Sequence, residues 1–235
     1  MRVEIWSDVV CPWCYIGKRN FETALSEFEH GDEVEVAWRS FELDPWAPTV
    51  RQGDYAARLA DKYGVPLPEA QNMIASMTGA AARAGLEFDF DVARPGNTFD
   101  AHRVIHLAGE RGVQDAMKER LLQATFTEGQ TIGDKETLVR LAAEVGLDAG
   151  EAAAVLGGDA YAAEVRADER QAAEFGISAV PFFVIDRTFG VPGAQPPDVL
   201  VRALQRAWEK TRAPVLTMAE ETGTGAGCEG DACAV

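Results

Sequence analysis

Two cysteines three residues apart, Cys11 and Cys14 in Cys11-Pro12-Trp13-Cys14, carry the most chemistry in this chain. They follow a strand-like run, Val3-Glu4-Ile5-Trp6-Ser7, and open a stretch with helical periodicity. Thiols at that spacing on a first helical turn can close and open a disulfide with little backbone movement. Pro12 sits where its missing N–H is not needed. The unpaired N–H groups of a helix start favour a thiolate on the first cysteine, and a thiolate is the species that attacks disulfides. A second pair, Cys228 and Cys233, completes the four cysteines. A four-thiolate zinc site joining both pairs is the rival reading. Pro12 and Trp13 speak against it, because zinc knuckles favour small, flexible residues between ligands.

The elements that must hold Cys11 and Cys14 follow from periodicity. The helix runs from Pro12 to about Phe28, with Ile16, Phe21, Leu25 and Phe28 on its apolar side, and His30-Gly31-Asp32 ends it. Glu33 to Phe41 alternates, with Val34, Val36 and Trp38 inward, and predicts a second strand parallel to the first. Pro45, Pro48 and Gly53 mark a loop. From Asp54 to about Gly176 the pattern is helical throughout, with Asp134 as one N-cap. Strand signals return at Pro181 to Ile185, and Phe189 to Val191 pairs back as a hairpin. A last helix starts at Pro196-Pro197-Asp198 and buries Val199, Leu200, Ala203, Leu204 and Trp208.

The order β-α-β, helical insert, β-β-α predicts an α/β thioredoxin fold with a large all-helical insertion. The expected division is residues 1–45 for the first part of the core, 46–176 for the helical insertion and 177–212 for the second part of the core. Residues 213–235 form a flexible tail carrying the C-x4-C pair. In such a fold Pro181 lies against the cysteine pair with a cis Val180-Pro181 bond, leaving the Val180 backbone to pair with an extended substrate.

Several segments together resemble the DsbA-like oxidoreductases. They are Cys11-Pro12-Trp13-Cys14, the run Ala179-Val180-Pro181-Phe182-Phe183-Val184-Ile185-Asp186, and Val191-Pro192-Gly193-Ala194-Gln195-Pro196. Asn97-Thr98 with Ala101-His102-Arg103 is similar to the helical domain of one branch, that of the FrnE-type disulfide oxidoreductases and the 2-hydroxychromene-2-carboxylate isomerases. The resemblance spans residues 1 to about 211 and implies thiol–disulfide exchange with protein or small disulfides. Cys11 and Cys14 would be catalytic, with Pro12, Trp13, Val180 and Pro181 meeting the substrate. Isomerases of the branch, like kappa-class glutathione transferases, resemble one another in placing Ser at the first cysteine. Cys11 therefore favours exchange, and a glutathione-dependent small-molecule isomerase or transferase is the alternative.

In the exchange reading Cys11 forms the mixed disulfide and Cys14, one turn in and more buried, resolves it. Trp13 cannot supply the cationic partner that a His would give the thiolate, so the pair is expected to be less oxidising than DsbA. Lys18 and Arg19 are candidates for that charge, or else solvated surface. Thioredoxin-like proteins often carry a buried carboxylate on the first strand, where this chain has Ile5. Glu4 and Asp8 lie near it on faces that alternation leaves undecided, so the group that takes the proton of Cys14 is open. Cys228 and Cys233 are an auxiliary dithiol or an incidental pair. The linker from Arg212 to Cys228 spans up to ~50 Å, enough to reach back. His102 and His106, at i and i+4, have no evident third ligand and are expected to pack rather than bind metal. Trp38, Phe41, Trp46, Phe182 and Phe183 are expected in the core or a cleft lining.

A net charge of −16 argues against nucleic-acid and anionic-membrane partners. No apolar run approaches the ~20 residues of a membrane span. A chain beginning at Met1 and reaching Cys11 without an apolar leader is expected in the cytoplasm, where a cysteine pair is more often catalytic than structural. No bound metal or organic cofactor is expected. Glutathione or thioredoxin would exchange with the pair, and monomer and homodimer both stay open.

Overall fold

The computed structural model describes residues 1–51 and 53–212. β1 (Arg2–Ser7) leads into α1 (Pro12–Glu27), and a short 3-10 turn (Gly31–Glu33) precedes β2 (Glu35–Ser40). Seven helices follow among the described residues: α2 (Tyr55–Tyr63), α3 (Leu67–Arg83), α4 (Phe99–Glu110), α5 (Gln114–Phe126), α6 (Lys135–Glu144), α7 (Ala149–Gly157) and α8 (Ala162–Glu174). β3 (Phe182–Ile185), β4 (Phe189–Pro192) and α9 (Pro197–Arg212) close the chain as described. Asp54, Asp134 and Asp148 cap α2, α6 and α7 through side-chain oxygens that accept backbone N–H bonds.

The sheet order is β2-β1-β3-β4. β1 pairs parallel with β2, in the register Ile5 to Trp38, and antiparallel with β3, Ile5 to Phe183. This is the expected thioredoxin arrangement with a large helical part. Alternation on β1 sends Val3 and Ile5 to one face, where they join Phe21 of α1, Phe183 of β3 and Leu204 of α9. The same cluster runs on through Leu121, Leu138 and Leu156, so the sheet and the helical block share one continuous apolar interior. Trp6 takes the opposite face with Val184, Ala172 and Ile177, and its indole N–H donates to the Asp168 carbonyl of α8 at 2.9 Å. A third cluster joins Tyr15 and Ile16 of α1 to Met77, Leu122 and Phe126 of the helical block.

The helical block thus grips α1 and the sheet from the side that carries the cysteine pair. Trp46 is a correction: it is 93 % exposed, on the Pro-flanked loop after β2, whereas Trp38 and Phe183 are buried and Phe41 and Phe182 half-buried. A short loop between two prolines offers Trp46 no second layer to pack beneath.

Candidate active site

Cys11 stands at the N-cap of α1 in extended conformation, and Pro12 begins the helix. The Cys14 N–H donates to the Cys11 carbonyl at 3.0 Å, which folds both thiols onto one turn. Both are free thiols; Cys14 is fully buried and Cys11 only 5 % exposed. The first cysteine is therefore less open than a helix start suggested. The Val180-Pro181 peptide bond is cis, and the Val180 carbonyl faces the Cys11 sulfur at 3.7 Å. Gly17, one turn beyond Cys14, lets α1 lie on Pro181: a Cβ there would stand 2.8 Å from the proline ring. Asn20 donates to the Gln195 carbonyl at 3.0 Å, and the Gly193 N–H to the Pro181 carbonyl at 2.8 Å. These bonds tie the Val191–Pro196 segment to α1 and Pro181. The two cysteines, Pro12, Trp13, Val180 and Pro181 thus come together in space.

Cys11 opens onto a cleft of about 590 Å³ between the start of α1, the residues before Pro181, and α2 and α3. Cys11, Trp13, Leu43, Tyr63, Met73 and Val180 are among its walls. Trp13, Leu43 and Tyr63 are among the exposed large apolar side chains of the described residues. A second cavity of about 290 Å³ adjoins it, sharing Val10, Leu43, Tyr55, Leu59 and Lys62, and reaches inward to Asp8.

Beneath the cysteines lies a buried polar cluster. Asp8, fully buried, accepts the N–H groups of Val9 at 2.7 Å and Leu43 at 2.8 Å, and its Oδ1 is 3.3 Å from His102 Nε2. Burial alone would raise its pKa, but His102, the Leu43 N–H and Lys118 outweigh it and hold Asp8 below the usual carboxylate range. Lys118 of α5 is 1 % exposed; its ammonium donates to the Ser7 carbonyl at 3.2 Å and lies 5.5 Å from the Trp38 ring. Burial pushes its pKa down to about 8, against the pull of Cys14, Asp8 and Cys11.

These groups decide where charge sits on the cysteine pair. Burial opposes charge on Cys14, but the Cys11 S–H, Lys118 and the Asp8 backbone N–H together bring its pKa below the usual thiol value. Cys11, donor to Cys14, is pushed well up, by that bond first and by burial next. The resting charge leans toward Cys14, the reverse of the expectation drawn from the helix start. The cationic and N–H partners all approach from the inside.

Lys18 and Arg19 do not supply charge to the thiols. Lys18 is buried among Glu22, Asp115 at 3.0 Å and Glu119 at 3.1 Å; Arg19 pairs with Glu22 and Glu119. Glu4 lies on the other face of β1, paired with Arg39 and Arg187. His106 turns to Asp168 and Ser40, each at 3.1 Å. Among the described residues no group of three or more His, Cys, Asp or Glu is arranged for a metal ion. Cys228 and Cys233 lie outside the described residues. The sequence signal for Lys118 is its place one turn before Leu121 and Leu122 and directly after Met117, inside an apolar stripe.

A family model described as a DSBA-like thioredoxin domain matches residues 2–205. A solved probable DsbA oxidoreductase of Streptomyces coelicolor is 46 % identical, covers 100 % of this chain and 99 % of its own, and superposes with a TM-score of 0.87. An uncharacterised Bacillus subtilis protein, YwbO, is 34 % identical over 89 % of this chain and 98 % of its own. The cytosolic disulfide reductase DsbM of Pseudomonas aeruginosa shares the fold at 20 % identity, covering 89 % of this chain and 100 % of its own with a TM-score of 0.60. No helix among the described residues is long and apolar enough to cross a membrane.

Proposed function

The chain belongs to the DsbA-like thioredoxin domain family, and from that premise we propose that it is a cytoplasmic thiol–disulfide oxidoreductase that reduces or rearranges disulfides of polypeptides through Cys11 and Cys14. The observation that carries this reading is the free Cys11 thiol beside the Val180 carbonyl in a cleft rimmed by exposed Trp13, Leu43 and Tyr63, with the free Cys14 thiol buried one turn behind it. An apolar, open rim suits an extended, partly unfolded segment better than a small polar disulfide.

In the proposed cycle the proton of Cys11 passes to Cys14 as substrate arrives. The Cys11 thiolate then attacks one substrate sulfur. The substrate S–S bond breaks, and the released sulfur leaves as a thiolate that solvent protonates. Cys14 next loses its proton and attacks the Cys11 sulfur. The enzyme disulfide forms, and the second substrate thiol departs. Two electrons have moved from the cysteine pair to the substrate, and a cellular thiol of the glutathione or thioredoxin type restores the pair.

The test is reduction of insulin by the reduced protein. Cys11→Ser is expected to abolish it, and Cys14→Ser to accumulate a mixed disulfide at Cys11. Insulin reduction surviving in Cys11→Ser would falsify the reading. Equilibration with glutathione is expected to give a potential nearer thioredoxin's about −270 mV than DsbA's about −120 mV.

A further inference from the structure

Once Cys11 is joined to a substrate sulfur, Cys14 must become a thiolate inside a site where it is fully buried. It has lost the Cys11 S–H that favoured its charge and now holds the proton passed to it. The strand position that carries a carboxylate in many thioredoxin-like proteins is Ile5, fully buried in the apolar core. Some other group must receive that proton.

We propose that Lys118, delivered from the helical block, takes the proton that Cys14 must lose before it resolves a mixed disulfide. The proposal rests on the exchange reading above.

Lys118 is shut off from solvent, and among the described residues it forms no ion pair, so nothing holds it permanently charged. Its ammonium is anchored on the carbonyl of Ser7, the last residue of β1. The next residue, Asp8, accepts the Cys11 N–H through its carbonyl at 3.4 Å, which brings the Ser7–Asp8 segment, and Lys118 with it, against the cysteine turn. The groups facing it are Cys14 and Cys11 from α1 and its N-cap, Asp8 from the connection after β1, Lys18 from α1, and the Trp38 ring from β2. Its lowered pKa lets the neutral amine exist near physiological pH, as a proton acceptor requires.

The step balances. Cys14–SH and the Lys118 amine become Cys14 thiolate and Lys118 ammonium. The thiolate displaces the substrate sulfur from Cys11, and that sulfur leaves with the electron pair.

The decisive measurement mixes reduced protein with glutathione disulfide and follows formation and decay of the mixed disulfide by rapid quench and mass spectrometry across pH. Lys118→Met is expected to leave formation near wild type and to slow decay roughly a hundredfold at neutral pH, the deficit shrinking as pH rises. Lys118→Arg keeps a positive charge that cannot accept a proton, so it should stay slow. Decay restored by Lys118→Arg, or an unchanged pH profile in Lys118→Met, overturns the proposal.

A direct titration needs no variant that must fold. With lysine labelled at Cε, NMR of the wild-type protein should show one lysine titrating near pH 8 whose midpoint moves when the pair is oxidised. All lysines titrating in the ordinary range in both states would also overturn it. Failure of glutathione to form any mixed disulfide would instead strike the exchange reading, since the titration requires no substrate.

Discussion

Two lysines of this molecule are almost equally buried and are treated in opposite ways. Lys18 on α1 is 2 % exposed and Lys118 on α5 is 1 % exposed. Lys18 is met by Glu22, Asp115 and Glu119, which outweigh the burial that opposes its charge and raise its pKa above the usual lysine value. Lys118 is met by a backbone carbonyl and an aromatic ring, and burial wins. Burial by itself therefore predicts neither the charge nor the purpose of a lysine. What differs is whether carboxylates stand within ion-pair distance. Lys18 joins α1 to α5 and works for stability, whereas Lys118 is anchored on Ser7 at the end of β1 with no carboxylate in ion-pair reach.

The largest thermodynamic effect expected from this contrast is at Lys18. Lys18→Met leaves Asp115 without its cation and Glu22 and Glu119 with Arg19 alone. It should lower unfolding free energy by about 1–3 kcal/mol, below the range for wholly buried pairs because these carboxylates are partly exposed. Insulin reduction should change less than about twofold, because Lys18 bears on neither thiol. A denaturant series beside the activity assay checks both halves. An activity loss as large as that of Lys118→Met would erase the distinction between the lysines.

Lys118 should show a smaller effect of the opposite kind. A base whose pKa is lower folded than unfolded binds fewer protons in the folded state between the two values. Wild-type stability attributable to Lys118 should therefore rise from about pH 8 to about pH 10.5. Lys118→Met should flatten that rise without lowering stability at pH 7. Cys14, Cys11, Asp8 and Lys18 face the same space, so the wild-type minus variant difference, taken with the cysteines oxidised, isolates the lysine. A difference curve that falls with pH would show that Lys118 is held charged, as Lys18 is.

How far each part was legible follows the same division. The cysteine pair, Pro181 and the β-α-β … β-β-α order depend on local spacing and punctuation, and residues 1–51 and 177–212 display them openly. The strand limits shifted by only a residue or two, where alternation fades into turns. The polar floor of the site was hidden because its parts meet only through tertiary packing: Ser7 and Lys118 come from opposite ends of the β1–α5 stretch. Asp8 and Glu4 were undecidable by alternation, since Glu4 stays on the strand while Asp8 belongs to the turn beyond it. Trp46 misled for the reverse reason: its type speaks of a core, yet its loop has nothing to place over it.

A buried carboxylate extends the comparison. Glu42 has a fully buried side chain paired with Arg166, yet burial, helped by Glu169, pushes its pKa up to about 7. Arg166 is shared with Glu169 at 2.6 Å, so one cation serves two acids, as Lys18 serves three, but here the acid is the buried partner and the cation the exposed one. The folded chain therefore keeps a proton that the unfolded chain releases between about pH 4.5 and 7. The Glu42 contribution to stability should fall as pH rises through that window. Glu42→Gln keeps the shape and removes the titration, so it should abolish that part of the slope while leaving stability near pH 4 unchanged. This is the smallest of the effects, because Arg166 is part-exposed and solvent screens the pair. Urea midpoints of both proteins from pH 4 to 8 test it. Parallel curves would mean that Arg166 holds Glu42 ionised, which would make burial with a single cation enough to fix charge and Lys118 a sharper exception.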